Sequence, residues 1–320
     1  MSRLQGPSSR PADNEYDDAP FDFLPATKDG HMARLSIQGP SGSGKTWTGL
    51  QAAAGLSEGR EFGVIDTERR AASLYIDDLG IPFKTLAMRR YDPRDLRKAL
   101  ALAAGQRFPV VMVDSLSHFW HGADGTLDQV DRAASKYGGN KFAGWKDGGE
   151  LQAEMIEALM AYPGHVVVTM RSSRKWVLEE NERGQKAPTD KGMKAQQRDG
   201  IEFEFGVAAE MDRENNLWFI KTRCPAFQGA RMKKPHGGRD IAKPYLDWLR
   251  AGAKEIDTTA WVDAASSDEA TPASLLALYR EVEAASALAT PLMHPENGQP
   301  TNLGDYIRTR GTALKAAARQ

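Results

Sequence analysis

Gly39-Pro40-Ser41-Gly42-Ser43-Gly44-Lys45-Thr46 lies between a short apolar run at 35–37 and a stretch of helical period at 46–56. Its spacing, G-x-x-x-x-G-K-[ST], is that of a phosphate-binding loop. The glycines let successive backbone N–H groups converge on phosphate oxygens. The helix that follows adds about half a positive charge at its N-terminus. In this reading Gly39, Pro40, Ser41, Gly42, Ser43 and Gly44 line the phosphates, and Trp47 joins the nucleotide-contacting set. Lys45 reaches the β- and γ-phosphates, and the Thr46 hydroxyl ligates Mg2+. ATP and Mg2+ are therefore the expected cofactors. A Gly/Ser turn that merely precedes a helix is the plain alternative.

A loop of this kind needs an acid at the end of a buried strand to hold the Mg2+ shell. Phe108-Pro109-Val110-Val111-Met112-Val113-Asp114-Ser115 supplies Asp114 after a run without a polar residue. Many such proteins place a Glu directly after this Asp to orient the attacking water; here the position is Ser115. The best substitute follows another apolar run, 62–65, in Asp66-Thr67-Glu68. Parallel strands bring their C-terminal ends to one edge, where ligands of open α/β sheets bind. Glu68 is thereby a candidate general base. Read structurally, it is a helix N-terminal acid, and Asp114 a strand-terminating cap.

Outward from these motifs the chain alternates short β-branched runs with longer helical stretches. The runs are 35–37, 62–65, 110–113 and 166–170, and the helical stretches lie around 46–56, 93–104 and 150–162. That alternation predicts an α/β fold with a mostly parallel central sheet. Residues 201–211 and 217–222 flank the polar turn Asp212-Arg213-Glu214-Asn215-Asn216, so a C-terminal β-hairpin is expected. Residues 1–30, rich in Pro, Ser and Asp with five acids between Asp13 and Asp22, read as a disordered acidic tail. Residues 31–252 form the core. Residues 253–320 form a linker and a helical appendage, with helices at 272–287 and 303–318 around a Pro/Asn/Gly-rich loop.

Composition bounds what this core does. The 320 residues carry 42 Lys+Arg against 43 Asp+Glu and are 41% apolar, which excludes wholesale disorder, a fibrous repeat and a disulfide-stapled mini-protein. The net charge of −1 excludes only a chain that is basic all over. The single cysteine, Cys224, cannot make an internal disulfide and suits a reducing cytoplasm. No stretch approaches about 18 apolar residues, and the N-terminus lacks an apolar signal core. A soluble intracellular protein with no membrane partner is expected.

Taken together, the phosphate loop, the strand ending in Asp66-Thr67-Glu68 and the strand ending in Asp114-Ser115 resemble the RecA-like P-loop NTPase core of recombinases. The strings Asp114-Ser115-Leu116-Ser117-His118-Phe119-Trp120, Phe142-Ala143-Gly144-Trp145, Gln197-Arg198-Asp199-Gly200 and Lys221-Thr222-Arg223-Cys224-Pro225 resemble small phage-encoded nucleotide-binding ATPases. Those are RecA-like cores associated with single-strand annealing and recombination. The similarity covers roughly residues 33–250. It implies that Tyr75, seven residues beyond Glu68, stacks on adenine. It also implies that Lys221 and Arg223 complete a neighbour's ATP site in a homo-oligomer. Single-stranded DNA is the implied partner, with a single-strand-binding or annealing protein as a further one, in the cytoplasm of a bacterial host. The chain departs from the recombinase pattern where Asn-Gln would follow the fourth core strand. There it has Thr169-Met170-Arg171, which makes Thr169 or Arg171 a substitute γ-phosphate sensor, or Arg171 a strand-closing partner for a surface carboxylate.

Lys221 and Arg223 alternate with Thr222, so both project from one face of a strand. On a monomer they would be an ordinary basic pair; across an interface an arginine finger is worth about 10³–10⁵ in rate. Between Arg171 and Arg198 lie eight cations and four acids. Arg174, Lys175, Lys186, Lys191 and Lys194 with Trp176 suit phosphate neutralisation and base stacking in a flexible loop. A second candidate surface is 132–146, where Tyr137, Phe142 and Trp145 interleave with lysines. A solvated loop with packed aromatics is the alternative for both. His118 and His121 lack further partners at metal-ligand spacing, and Phe23-Leu24-Pro25-Ala26 is too short to carry an interface. Two other functional readings stay open: another P-loop enzyme, such as a helicase or kinase, and a non-hydrolysing nucleotide-switch adaptor.

Overall fold

The computed structural model describes residues 26–180, 186–252, 258–285, 287–288 and 290–317, with the backbone alone at 174–180 and 186–192. The chain opens with β1 (Arg34–Gly39), α1 (Lys45–Ser57), β2 (Phe62–Asp66), α2 (Ile76–Leu79) and β3 (Phe83–Ala87). It continues through α3 (Pro93–Gly105), β4 (Val110–Asp114), α4 (His118–His121), α5 (Thr126–Lys136) and α6 (Lys141–Met160). Then come β5 (His165–Glu180), β6 (Lys186–Ala195), β7 (Val207–Met211), β8 (Asn216–Thr222), β9 (Arg231–Lys233) and α7 (Lys243–Arg250). The last elements are α8 (Thr259–Ser266), α9 (Pro272–Ala284), β10 (Pro291–Met293), β11 (Pro300–Asn302) and α10 (Leu303–Ala317).

The main sheet runs β3-β2-β4-β5-β1-β7-β8-β9. From β3 to β7 every neighbouring pair is parallel, whereas β7–β8 and β8–β9 are antiparallel. Central parallel strands are covered on both faces and so read as unbroken apolar runs. β4 illustrates it: Val110 and Met112 face the layer holding α1 and α7, and Val111 and Val113 face that holding α3 and α6. The α/β class, the mostly parallel sheet and the C-terminal hairpin stand as expected. The hairpin begins at Val207, because Ile201–Phe203 is a single turn of 3-10 helix.

Several features differ from the sequence reading. β3 pairs with β2 at the sheet edge although the sequence predicts nothing there. Where the sequence suggests a flexible basic loop, β5 continues past Arg171 to Glu180 and pairs antiparallel with β6 from Ser172↔Ala195 to Glu180↔Lys186. The loop between the two C-terminal helices holds the pair β10–β11. Together with α8–α10 that pair builds a separate small core around Leu275, Val282, Leu303, Tyr306 and Ile307. Near the described N-terminus, Lys28 Nζ donates to Trp248 O at 2.7 Å and lies over the Trp248 ring. Among the described residues no helix is long and apolar enough to cross a membrane.

Candidate active site

The phosphate loop joins β1 to α1 at the C-terminal edge of the parallel strands. Gly39 is required there by close approach: a Cβ would run into Met211 O and would stand 2.8 Å from Ser43 Oγ. Lys45 is buried, and its ammonium donates to Pro40 O at 2.6 Å and to Ser43 Oγ at 3.4 Å. Burial lowers its pKa to about 8, against the pull of Asp114 and Glu68, which favour the charged form; Arg171 lowers it further. The candidate phosphate-binding side chain is thus a cation with a weakened hold on its proton. Nucleotide binding favours the ammonium, so affinity is expected to fall as pH rises above about 8, by up to about tenfold per pH unit. Titrating a fluorescent ATP analogue from neutral to alkaline pH checks this, and a flat profile would refute it.

Asp114, the candidate metal acid, ends β4 beside the phosphate loop. Thr46 Oγ1 donates to Asp114 Oδ2 at 3.0 Å, and Thr169 Oγ1 donates to Asp114 Oδ1. Burial raises the Asp114 pKa, and the two hydroxyl hydrogen bonds oppose that shift. A hydroxyl and a carboxylate from two elements, both hard oxygen donors, fit a Mg2+ ion that arrives with phosphates and keeps most of its waters. Among the described residues no cluster of three or more His, Cys, Asp or Glu could hold a metal ion by itself. The Asp114–Ser115 peptide is cis.

Asp66 and Asp114 are register partners on β2 and β4, so Glu68 emerges at the same edge as the metal acid. Its backbone N–H donates to Asp66 Oδ1 at 2.8 Å, and Arg70 N–H donates to the same oxygen at 3.0 Å. The Glu68 carboxylate accepts two hydrogen bonds from Arg171, from Nε at 3.0 Å and from Nη2 at 2.5 Å. The proposed base and the proposed sensor are therefore paired with each other, while the other sensor candidate, Thr169, serves Asp114. Trp47 and Tyr75 also meet, with ring centroids 5.2 Å apart and planes tilted by 33°. They form an aromatic wall next to the loop.

Lys221 and Arg223 are placed elsewhere. Leu217 of β8 pairs with Met211, beside the phosphate loop, whereas Thr222 pairs with Val207 at the opposite end of β7. Both cations thus lie at the far edge of the sheet from this chain's own loop. Lys221 Nζ donates to Phe203 O at 2.7 Å and also to Phe205 O, and Arg223 is exposed. Of the nucleic-acid candidates, Lys194 pairs with Asp199. The side chains of Arg174, Lys175, Trp176, Lys186 and Lys191, and the segment 23–25, lie outside the described residues.

Sequence reasoning missed the polar network beneath the site. Thr67, Ser117 and Gln197 are buried and tie together the ends of β2, β4 and β5. Arg171 N–H donates to Ser117 Oγ at 2.9 Å, Gln197 Nε2 to Leu116 O at 3.2 Å and Thr67 N–H to Asp114 O at 2.7 Å. Asn215, in the left-handed region at φ 61°, places its amide over the loop beside Gly44. The available signal was the density of small polar residues directly after apolar strands.

A phosphate loop on a parallel sheet, with a serving acid at the end of a neighbouring strand, defines a P-loop NTPase. A family model described as AAA domain matches residues 31–230, and the chain belongs to that family of P-loop ATPases. No curated protein matches the chain.

Proposed function

We propose that this ATPase hydrolyses Mg·ATP by in-line attack of a water oriented by Glu68, and couples that cycle to single-stranded DNA. The observation that carries the reading is the bidentate Glu68–Arg171 pair at the edge shared with Asp114 and Lys45. Lys45 and the loop amides hold the phosphates, Thr46 and Asp114 hold Mg2+, and Tyr75 with Trp47 meets the base. Bound Mg2+ supplies charge neutralisation on the phosphate oxygens. Arg171, drawn to the γ-phosphate, releases the Glu68 carboxylate for work on water. Arg171 also roots the β5–β6 hairpin, since its carbonyl accepts from Gln196 N–H at 2.7 Å. That hairpin carries most of the eight cations between Arg171 and Arg198, and single-stranded DNA is assigned to it.

Because Lys221 and Arg223 lie at the opposite edge from their own loop, their part in hydrolysis is assigned across an interface, in a homo-oligomer. The biological role, from the resemblance to phage-encoded ATPases, is recombination or annealing in the host cytoplasm, with an annealing or single-strand-binding protein as a further partner. The switch-adaptor reading draws on the same Glu68–Arg171 pair, which occupies the carboxylate a hydrolase needs free. Phosphate release from Mg·ATP, with and without single-stranded DNA over a series of protein concentrations, separates these readings. Specific activity is expected to rise steeply with concentration and to increase on adding DNA. Flat specific activity without a DNA response would overturn the proposal.

A further inference from the structure

The Glu68 carboxylate has Arg171 as its partner among the described residues. Once that guanidinium turns to a phosphate, the base is aimed by its backbone, and that backbone is held from one side by Asp66 and from the other by Thr67. Thr67 is buried at the junction of β2 and β4. Its N–H donates to Asp114 O at 2.7 Å, and its hydroxyl accepts from Ser115 N–H at 2.7 Å. The same hydroxyl lies 2.7 Å from His118 Nδ1 and 3.1 Å from Ser115 O. One residue thus fastens the segment carrying Glu68 to the segment carrying Asp114.

His118 is fixed in turn. Its ring stacks on Tyr91 at 5.0 Å between centroids with 23° between planes, and Tyr91 Oη donates to Thr67 O at 3.4 Å. The circuit Thr67–His118–Tyr91–Thr67 closes on itself, so the imidazole cannot turn without breaking a stack or a hydrogen bond. None of the three side chains has a place in holding phosphate or metal in the mechanism above. Their common effect is on the spacing of two carboxylates.

We propose that Thr67 and His118 are positioning residues for hydrolysis, a hydroxyl–imidazole strut that sets Glu68 against Asp114. The inference rests on the hydrolysis reading and adds to it the device that aims the base. A displacement on the order of 1 Å in such a group costs up to about a hundredfold in rate, while phosphate affinity, which comes from the loop and Lys45, is untouched. The signature is a loss in kcat without a loss in binding.

The test compares Thr67→Val and His118→Phe, which keep shape and stacking, with Thr67→Ser and His118→Asn, which restore a hydrogen-bonding group. Phosphate release is measured at saturating Mg·ATP, and affinity with a non-hydrolysable ATP analogue, which also reports that each variant is folded. Thr67→Val and His118→Phe are expected to lower kcat about ten- to a hundredfold with affinity within about twofold. Thr67→Ser and His118→Asn are expected to recover most of the rate. Should Thr67→Val fail to bind the analogue at all, His118→Phe carries the comparison. Wild-type turnover in the two shape-preserving variants, or equal loss in all four, would overturn the strut alone. A wild-type protein that releases no phosphate would overturn the hydrolysis reading and the strut with it.

Discussion

Glu68→Gln is expected to slow ATP turnover by about 10²- to 10⁴-fold while leaving ATP bound. The substitution keeps size and one hydrogen-bond acceptor but removes the charge that draws a proton from water. In the proposed site the loop amides, Lys45 and Arg171 meet the phosphates and all of them are kept in this variant, so affinity should hold. It should even improve slightly: Gln grips Arg171 less firmly than Glu, because the carboxylate's two charge-assisted bonds at 3.0 and 2.5 Å are among the stronger kind. Phosphate release and analogue binding measured on the same preparation give both quantities. Turnover within about threefold of wild type would remove Glu68 from the chemistry and favour a nucleotide switch.

Arg34→Met is expected to destabilise the fold by several kcal/mol, at about 1–3 kcal/mol for each buried carbonyl that loses its donor. Arg34 opens β1, and its buried guanidinium has no carboxylate partner among the described residues. It donates instead to backbone carbonyls: Met160 O at 3.1 and 2.7 Å, Tyr162 O at 2.5 Å, Gly164 O at 2.7 Å and Ala33 O at 3.1 Å. Desolvation lowers its pKa to about 10, still high enough to keep it charged at neutral pH. Met160, Tyr162 and Gly164 are the end of α6 and the turn into β5, so one side chain caps a helix and ties it to the start of β1. Methionine fills the volume but removes the donors to Met160 O, Tyr162 O and Gly164 O, whereas Ala33 O still accepts from Val166 N–H at 2.9 Å. Because Arg34 lies at the edge of β1 away from the phosphate loop, protein that remains folded should bind nucleotide normally. Denaturant midpoints with and without an ATP analogue test both halves of this expectation.

What the sequence made legible was local chemistry. The phosphate loop, Asp114 and Glu68 were readable because each lies within a few residues of an apolar strand that must end at a common edge. β3 escaped because it is an edge strand: of Phe83-Lys84-Thr85-Leu86-Ala87 only Phe83 is buried, so neither a continuous nor an alternating pattern appears. The first half of α6 escaped for another reason. Gly144 breaks the helical propensity there, yet it permits close approach to α5, where a Cβ would meet Ala134 N at 2.8 Å. The hairpin of β5 and β6 was hidden by Gly184, Pro188 and a high density of charge, which resemble a loop in composition.

The site's remaining parts depend on register, which composition does not encode. Arg171 and Glu68 are 103 residues apart, and their pairing follows from β2, β4 and β5 lying side by side. In the sequence His118 has only His121 near it and no metal-ligand spacing; the fold gives it Thr67 and Tyr91 as partners.

The most direct check of the central claim is a structure with Mg2+ and a non-hydrolysable ATP analogue. The account predicts Mg2+ on Thr46 and Asp114, Arg171 turned from Glu68 to the γ-phosphate, and the Glu68 carboxylate facing the γ-phosphate. A bound triphosphate with Glu68 still paired to Arg171 and turned away from the γ-phosphate would contradict it.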